Sequence, residues 1–79
     1  MKVTIYNEQD AIYVSVSPLP VAYGKDLYDN RHLNFSKDGK IVGIEFLNVS
    51  KGIELEGISK DLRYQIDKFL ANHNIKVLA

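Results

Sequence analysis

His32 and Glu45 are the two side chains of this 79-residue sequence that a fold would most simply turn into a chemical pair. A carboxylate beside an imidazole can raise the histidine pKa and make a pH-sensitive or proton-transferring pair. Turning such a pair into an enzyme site takes a nucleophile, an oxyanion donor or a metal as well. The sequence supplies little for those roles. Ser15, Ser17, Ser36, Ser50 and Ser59 fall on strands, turns or a helix start, and none sits in a Gly-x-Ser-x-Gly elbow. The glycines make no phosphate-cradling pattern. Asn7, Glu8 and Asp10 crowd oxygens into one loop, but a calcium loop needs more ligands at regular spacing and usually a glycine. His32 and His73 have no third ligand spaced nearby, and the absence of cysteine removes thiolate sites and disulfides. No catalytic residue, cofactor or metal is therefore assigned. His32 and Glu45 are expected to form an exposed cross-strand pair contributing about 0.2–1 kcal/mol.

That expectation rests on strand register. Val3 and Ile5, then Ile12, Val14 and Val16, alternate with polar or aromatic residues, the period of half-buried strands. If Tyr6 faces Ala11 across the NEQD loop, Ile5 lies opposite Ile12 and Val3 opposite Val14. The aliphatic side chains then share one face, and Lys2, Thr4, Tyr6, Tyr13 and Ser15 share the other. A second hairpin turns at Asp38-Gly39, both residues tolerating a positive φ. It pairs Phe35 with Val42, Leu33 with Ile44, Asn34 with Gly43 and His32 with Glu45. Between the hairpins, the prolines of Ser17–Pro20 end a strand, and Val21–Tyr28 reads as a weak extra strand with a bulge near Gly24. DNR reads as a turn.

Farther along, Ile53 and Leu55 alternate with Glu54 and Glu56 as a short extended segment. Ser59 has the character of an N-cap, with Asp61 in the first turn, and the helix is placed over 59–72. Leu62, Ile66, Phe69, Leu70 and His73 form its apolar stripe. IKVL, Ile75 to Leu78, resembles a short final strand. The fold class is thus α+β: an antiparallel β-meander packed against one C-terminal helix, in a single small domain over 1–79. The predicted core is Val3, Ile5, Ile12, Val14, Leu33, Phe35, Val42, Ile44, Phe46, Leu62, Ile66 and Phe69.

YNEQDAIYVSVS and LNFSKDGKIVGIEFLNVS together resemble domain-of-unknown-function family 2283, small bacterial and archaeal proteins. Tyr6, Asp10, Ala11, Tyr13, Asp38, Gly39, Val42, Gly43, Ile44 and Glu45 match its pattern. Asn7 stands where an aspartate is usual, and Ile12 is a conservative change. The resemblance covers the β-sheet region, 1–50, and leaves the helical tail outside. It implies the fold and no established activity. It also implies an alternative role, that of an antitoxin-like partner of a small toxin.

Composition narrows the partners. Ten basic and ten acidic residues balance, whereas a nucleic-acid binder needs clustered Lys and Arg. MKVTIYNEQD lacks the apolar run of a signal peptide, and no segment reads as a membrane span, so the expected location is cytoplasmic. A chain this short is marginally stable alone, and without disulfides or a metal a partner subunit becomes the expected source of further burial. The expectation is a non-catalytic interaction module, homodimeric, able also to meet another small protein. Thr4, Tyr6, Tyr13, Ile41 and Gly43 form the candidate interface, Gly43 being either an approach point for a second backbone or a seat for Tyr13. The alternative is a small-molecule binder or minor enzyme using the His32/Glu45 face.

Overall fold

The structure is a computed structural model that describes residues 1–75 and 77–78, with the backbone alone at position 78. The chain divides into two compact units, Met1–Val49 and the portion from Ser50 onward.

The first unit is a five-stranded antiparallel sheet. Its strands are β1 (Lys2–Tyr6), β2 (Ala11–Ser15), β3 (Tyr23–Leu27), β4 (Arg31–Phe35) and β5 (Ile41–Phe46). In space they run β1-β2-β5-β4-β3. The last four have the order of a Greek key, in which β5 returns to lie beside β2. The first hairpin takes the predicted register, Val3 opposite Val14, Ile5 opposite Ile12 and Tyr6 opposite Ala11. Asp10 closes its loop in the left-handed region at φ 52°, and its N–H donates to the Asn7 carbonyl at 3.2 Å. Aspartate tolerates that conformation because its short polar side chain bonds locally.

The second hairpin also pairs Leu33 with Ile44 and Asn34 with Gly43, but Phe35 lies opposite Ile41, not the predicted Val42. The register shifts between Asn34 and Phe35, a β-bulge. Two features explain it. Ser36 closes the turn, its N–H donating to the Lys40 carbonyl at 2.8 Å and its carbonyl accepting from Gly39 at 2.9 Å, with Gly39 at φ 80°. The carbonyl of Val42 accepts the N–H groups of both Val16, at 2.8 Å, and Ser17, at 3.0 Å. The extra residue thus anchors the connection that leaves β2. That connection carries both prolines and reaches β4, where Ala22 N–H donates to the Phe35 carbonyl at 2.7 Å.

β3 corrects a second expectation. It is regular through Gly24, which pairs with Asn34, and carries no bulge there. Its turn, Tyr28 to Asn30, holds Tyr28 at φ 59°, a region that few aromatic residues occupy. The Arg31 guanidinium lies 5.2 Å from the centre of the Tyr28 ring.

The second unit contains a 3₁₀ turn that begins at its border (Val49–Lys51), β6 (Ile53–Glu54), α1 (Lys60–Asn72) and β7 (Val77–Leu78). β6 and β7 pair in parallel, so the unit is a minimal β-α-β. Lys76, inside the expected IKVL strand, lies outside the described residues. Ser59 occupies the N-cap position without a side-chain capping bond, and Asp61 sits in the first turn. The helix ends in a Schellman motif. Asn74 takes φ 58°, its N–H donates to Ala71 at 3.0 Å, and Ile75 N–H donates to Leu70 at 2.9 Å. Among the described residues no helix is long and apolar enough to cross a membrane.

Burial follows the strand order. Ala11, Ile12, Val14, Leu33, Val42, Ile44 and Phe46 are buried in the first unit, and Ile53, Leu55, Ile58, Ile66 and Leu70 in the second. Five predicted core residues are not. Ile5 is 56% exposed and Val3 half-buried because β1 is a sheet edge, while Phe35, Leu62 and Phe69 are half-buried. The contrast between Ile44 and Ile5 makes a direct test. Ile44 is 0% exposed on the central strand, so Ile44→Ala should cost about 2–5 kcal/mol in urea unfolding. Ile5→Ala should cost under about 0.5 kcal/mol in the isolated chain. Equal losses would contradict this placement of the core.

Candidate functional site on the polar sheet face

The alternation of five strands sets two polar rows across one face of the sheet. One row runs Thr4, Tyr13, Glu45, His32, Asp26, each paired with the next. The neighbouring row runs Lys2, Ser15, Gly43, Asn34, Gly24. His32 and Glu45 are opposite each other, as the register requires. The carboxylate that reaches the imidazole, however, is that of Asp26 on β3, with Oδ1 2.7 Å from His32 Nδ1. Register explains this too, since His32 lies between Glu45 and Asp26 and its ring leans toward β3. The His32 side chain is about one-third exposed and that of Asp26 largely exposed, so solvent screens the pair and its contribution is about 0–1 kcal/mol.

The glycines show which way the rings point. A Cβ on Gly24 would stand 2.5 Å from His32 Nε2 and 2.8 Å from Cε1. A Cβ on Gly43 would collide with the hydroxyl and Cζ of Tyr13. Each ring therefore lies over a glycine on the next strand. The relation is the same both times: Tyr13 pairs with Glu45 and covers Gly43, and His32 pairs with Asp26 and covers Gly24. Rings laid over strand glycines replace the side-chain packing that glycine lacks. Asn34 joins the two devices by donating from Nδ2 to the Tyr13 hydroxyl at 3.2 Å.

This arrangement answers what each sequence-derived residue does. Gly43 is buried beneath Tyr13, which accounts for the glycine within the chain itself. Thr4 and Tyr6 are exposed on edge strand β1, and Tyr13 is half-buried. Ile41 is half-buried opposite Phe35, whose ring stacks on Tyr23 at 5.1 Å, so it belongs to the far end of the sheet. Sequence reasoning placed Asn34 opposite Gly43 but missed Asp26, the bond of Asn34 to Tyr13 and the seating of His32 on Gly24. A signal was present: Gly24-Lys25-Asp26 repeats the glycine-to-acid spacing of Gly43-Ile44-Glu45.

Chemically, the face is a set of internal partnerships. One nitrogen of His32 meets Asp26 and the other lies over Gly24, beside Asn34 Oδ1, which is 3.1 Å from the Cβ position of that glycine. A general base must present its free nitrogen to a substrate proton. Here that nitrogen lies over Gly24 of β3, in a side chain that is about one-third exposed. Among the described residues no three His, Asp or Glu side chains gather as a metal ion requires.

These features define a small α+β domain with an open antiparallel sheet and a self-paired polar face. The chain belongs to the family described as Protein of unknown function (DUF2283), whose model matches residues 2–50. No curated protein and no solved structure matches it. The matched segment is almost the same as the first compact unit, and it contains every residue of the two polar rows.

The ring-over-glycine device can be tested by a double-mutant cycle. Gly43→Ala alone should destabilise, because the Tyr13 ring must leave. In a Tyr13→Ala background the same change should stabilise by about 0.5–1 kcal/mol, since alanine is less costly to order than glycine. The coupling should fall at about 0.5–3 kcal/mol in urea unfolding. Identical effects in both backgrounds would show that the ring is not what the glycine serves.

Proposed function

We propose that this protein is a non-catalytic interaction module that works as a homodimer. The carrying observation is the exposed apolar surface at the two edges of the sheet. Met1, Ile5 and Tyr6 are exposed at β1, and Val21, Tyr23 and Tyr28 at or beside β3. Clustered exposed apolar side chains on a small domain mark a contact surface. Tyrosine suits such a role, with its large apolar ring and polar tip. The sequence contains no cysteine to staple so short a chain, which makes association the natural route to further burial. The packing of His32 against Asp26 and Gly24 supports a structural part for the imidazole.

Light scattering across the micromolar range tests this reading. The expected mass is twice that of the chain, and replacing His32 by Ala together with Glu45 by Gln should leave it unchanged. A monomer at every accessible concentration would defeat the dimer. An activity that co-purifies with the protein and vanishes in the double variant would defeat the non-catalytic reading.

A further inference from the structure

The five-stranded sheet has two edges, β1 and β3, and they differ in what a second copy would meet. Two copies related by a twofold axis pair an edge strand with itself, antiparallel, and their contacts are self-complementary. For either five-residue edge strand, the register that pairs all its residues places the middle one on the axis. In β3 that residue is Lys25, which would face the partner copy's Lys25. Like charges directly opposite each other disfavour pairing. Charged residues on an edge are a usual guard against such association, and β3 carries Lys25 and Asp26 side by side.

β1, Lys-Val-Thr-Ile-Tyr, gives the opposite result. Its middle residue is Thr4, and a threonine facing a threonine is a favourable cross-strand pair. The same register sets Val3 beside the partner copy's Ile5 on the aliphatic face. It also sets Lys2 beside the partner copy's Tyr6 on the polar face, which keeps the two Lys2 ammonium groups apart. Both faces of the sheet then continue unbroken across the junction, because residues of like parity are paired. The strand has no proline and one charge, and its aliphatic side is partly open, with Ile5 56% exposed and Val3 half-buried. β6 and β7, with two residues each, are too short to serve.

We propose that β1 is the homodimer edge: two copies join antiparallel through Lys2–Tyr6 with the twofold axis at Thr4, making one continuous sheet. This deepens the homodimer reading and depends on it. The absence of cysteine allows a clean test. Thr4→Cys places a single thiol beside the axis, and Lys25→Cys places one on the other edge as the control. Under mild oxidation, Thr4→Cys should convert to a covalent dimer on a non-reducing gel, while Lys25→Cys stays single-chain. Ile5→Lys, at a position exposed within one copy, should keep the circular dichroism of a folded chain but lose the dimer in light scattering, with an unfolding transition lowered by the lost association. A wild-type dimer in which Thr4→Cys fails to cross-link, or which survives Ile5→Lys, overturns the β1 edge and leaves the homodimer reading standing. Preferential cross-linking of Lys25→Cys assigns the contact to β3 instead. A wild-type monomer at every concentration removes the homodimer reading, and the β1 edge falls with it.

Discussion

The sheet depends on the placement of β5 between β2 and β4. It is the last strand of the first unit in sequence and the middle one in space. Its side chains make the core: Ile44, opposite both Val14 and Leu33, is fully buried, and Phe46, opposite both Ile12 and Arg31, is nearly so. Without β5 the chain holds a β1–β2 hairpin and a β3–β4 hairpin with no shared hydrogen bonds in the sheet. An isolated hairpin is marginal at best in water. Joining them requires β2 to meet a strand that follows it by some thirty residues, a non-local closure that costs chain entropy before contacts repay it. The bulge at Val42 serves that closure, since one carbonyl there takes both N–H groups at the start of the crossover. The irregularity in β5 and the path of the proline segment are one feature.

The polar face shows how the same sheet arranges its titratable groups. An imidazole, two carboxylates, a phenol and a carboxamide lie within two adjacent rows, a composition that invites a catalytic reading. Both rings lean across to the next strand and settle on glycines, where His32 meets Asp26 and Tyr13 meets Asn34. Among the described residues no buried side-chain nitrogen or oxygen lacks a hydrogen-bond partner. Exposed apolar side chains lie along both edge strands, and also at Leu19 in the connection after β2 and at Tyr64 on α1.

How much of this was legible in the sequence depended on distance along the chain. The registers of Ile5 with Ile12 and of Leu33 with Ile44 could be read because short turns fix them and the alternation admits one solution. His32 opposite Glu45 came from the same logic. Its bond to Asp26 did not, because β3 has weak alternation and Gly24 suggested a bulge when it marks the seat of a ring. Ile5 has the pattern of a core residue and is exposed because β1 became an edge, a property of strand order that alternation within one hairpin does not contain. The alternation of Ile53 and Leu55 was legible, but their burial and that of Ile58 was not, because two apolar positions do not show what they pack against. The helix was legible from Asp61 and its apolar stripe, and the pairing of its flanking segments in parallel was not.

The boundary of the family match carries a further consequence. The match ends at residue 50, just where the sheet unit closes. Asn48 takes a left-handed φ of 54° there, and Val49 N–H donates to the Asp10 carbonyl at 2.9 Å, tying the end of the sheet back to its first loop. The segment before that tie has its own hydrogen-bonded sheet, its own buried set and both ring-over-glycine devices. The segment after it is a separate β-α-β element with a different strand polarity and its own helix cap. The family match therefore covers the five-stranded sheet with its polar rows and both edges, and α1 lies outside it. The exposed positions of that shared sheet include Lys2, Thr4 and Asp26 of the polar rows and Ile5, Tyr6 and Tyr23 of the edge strands.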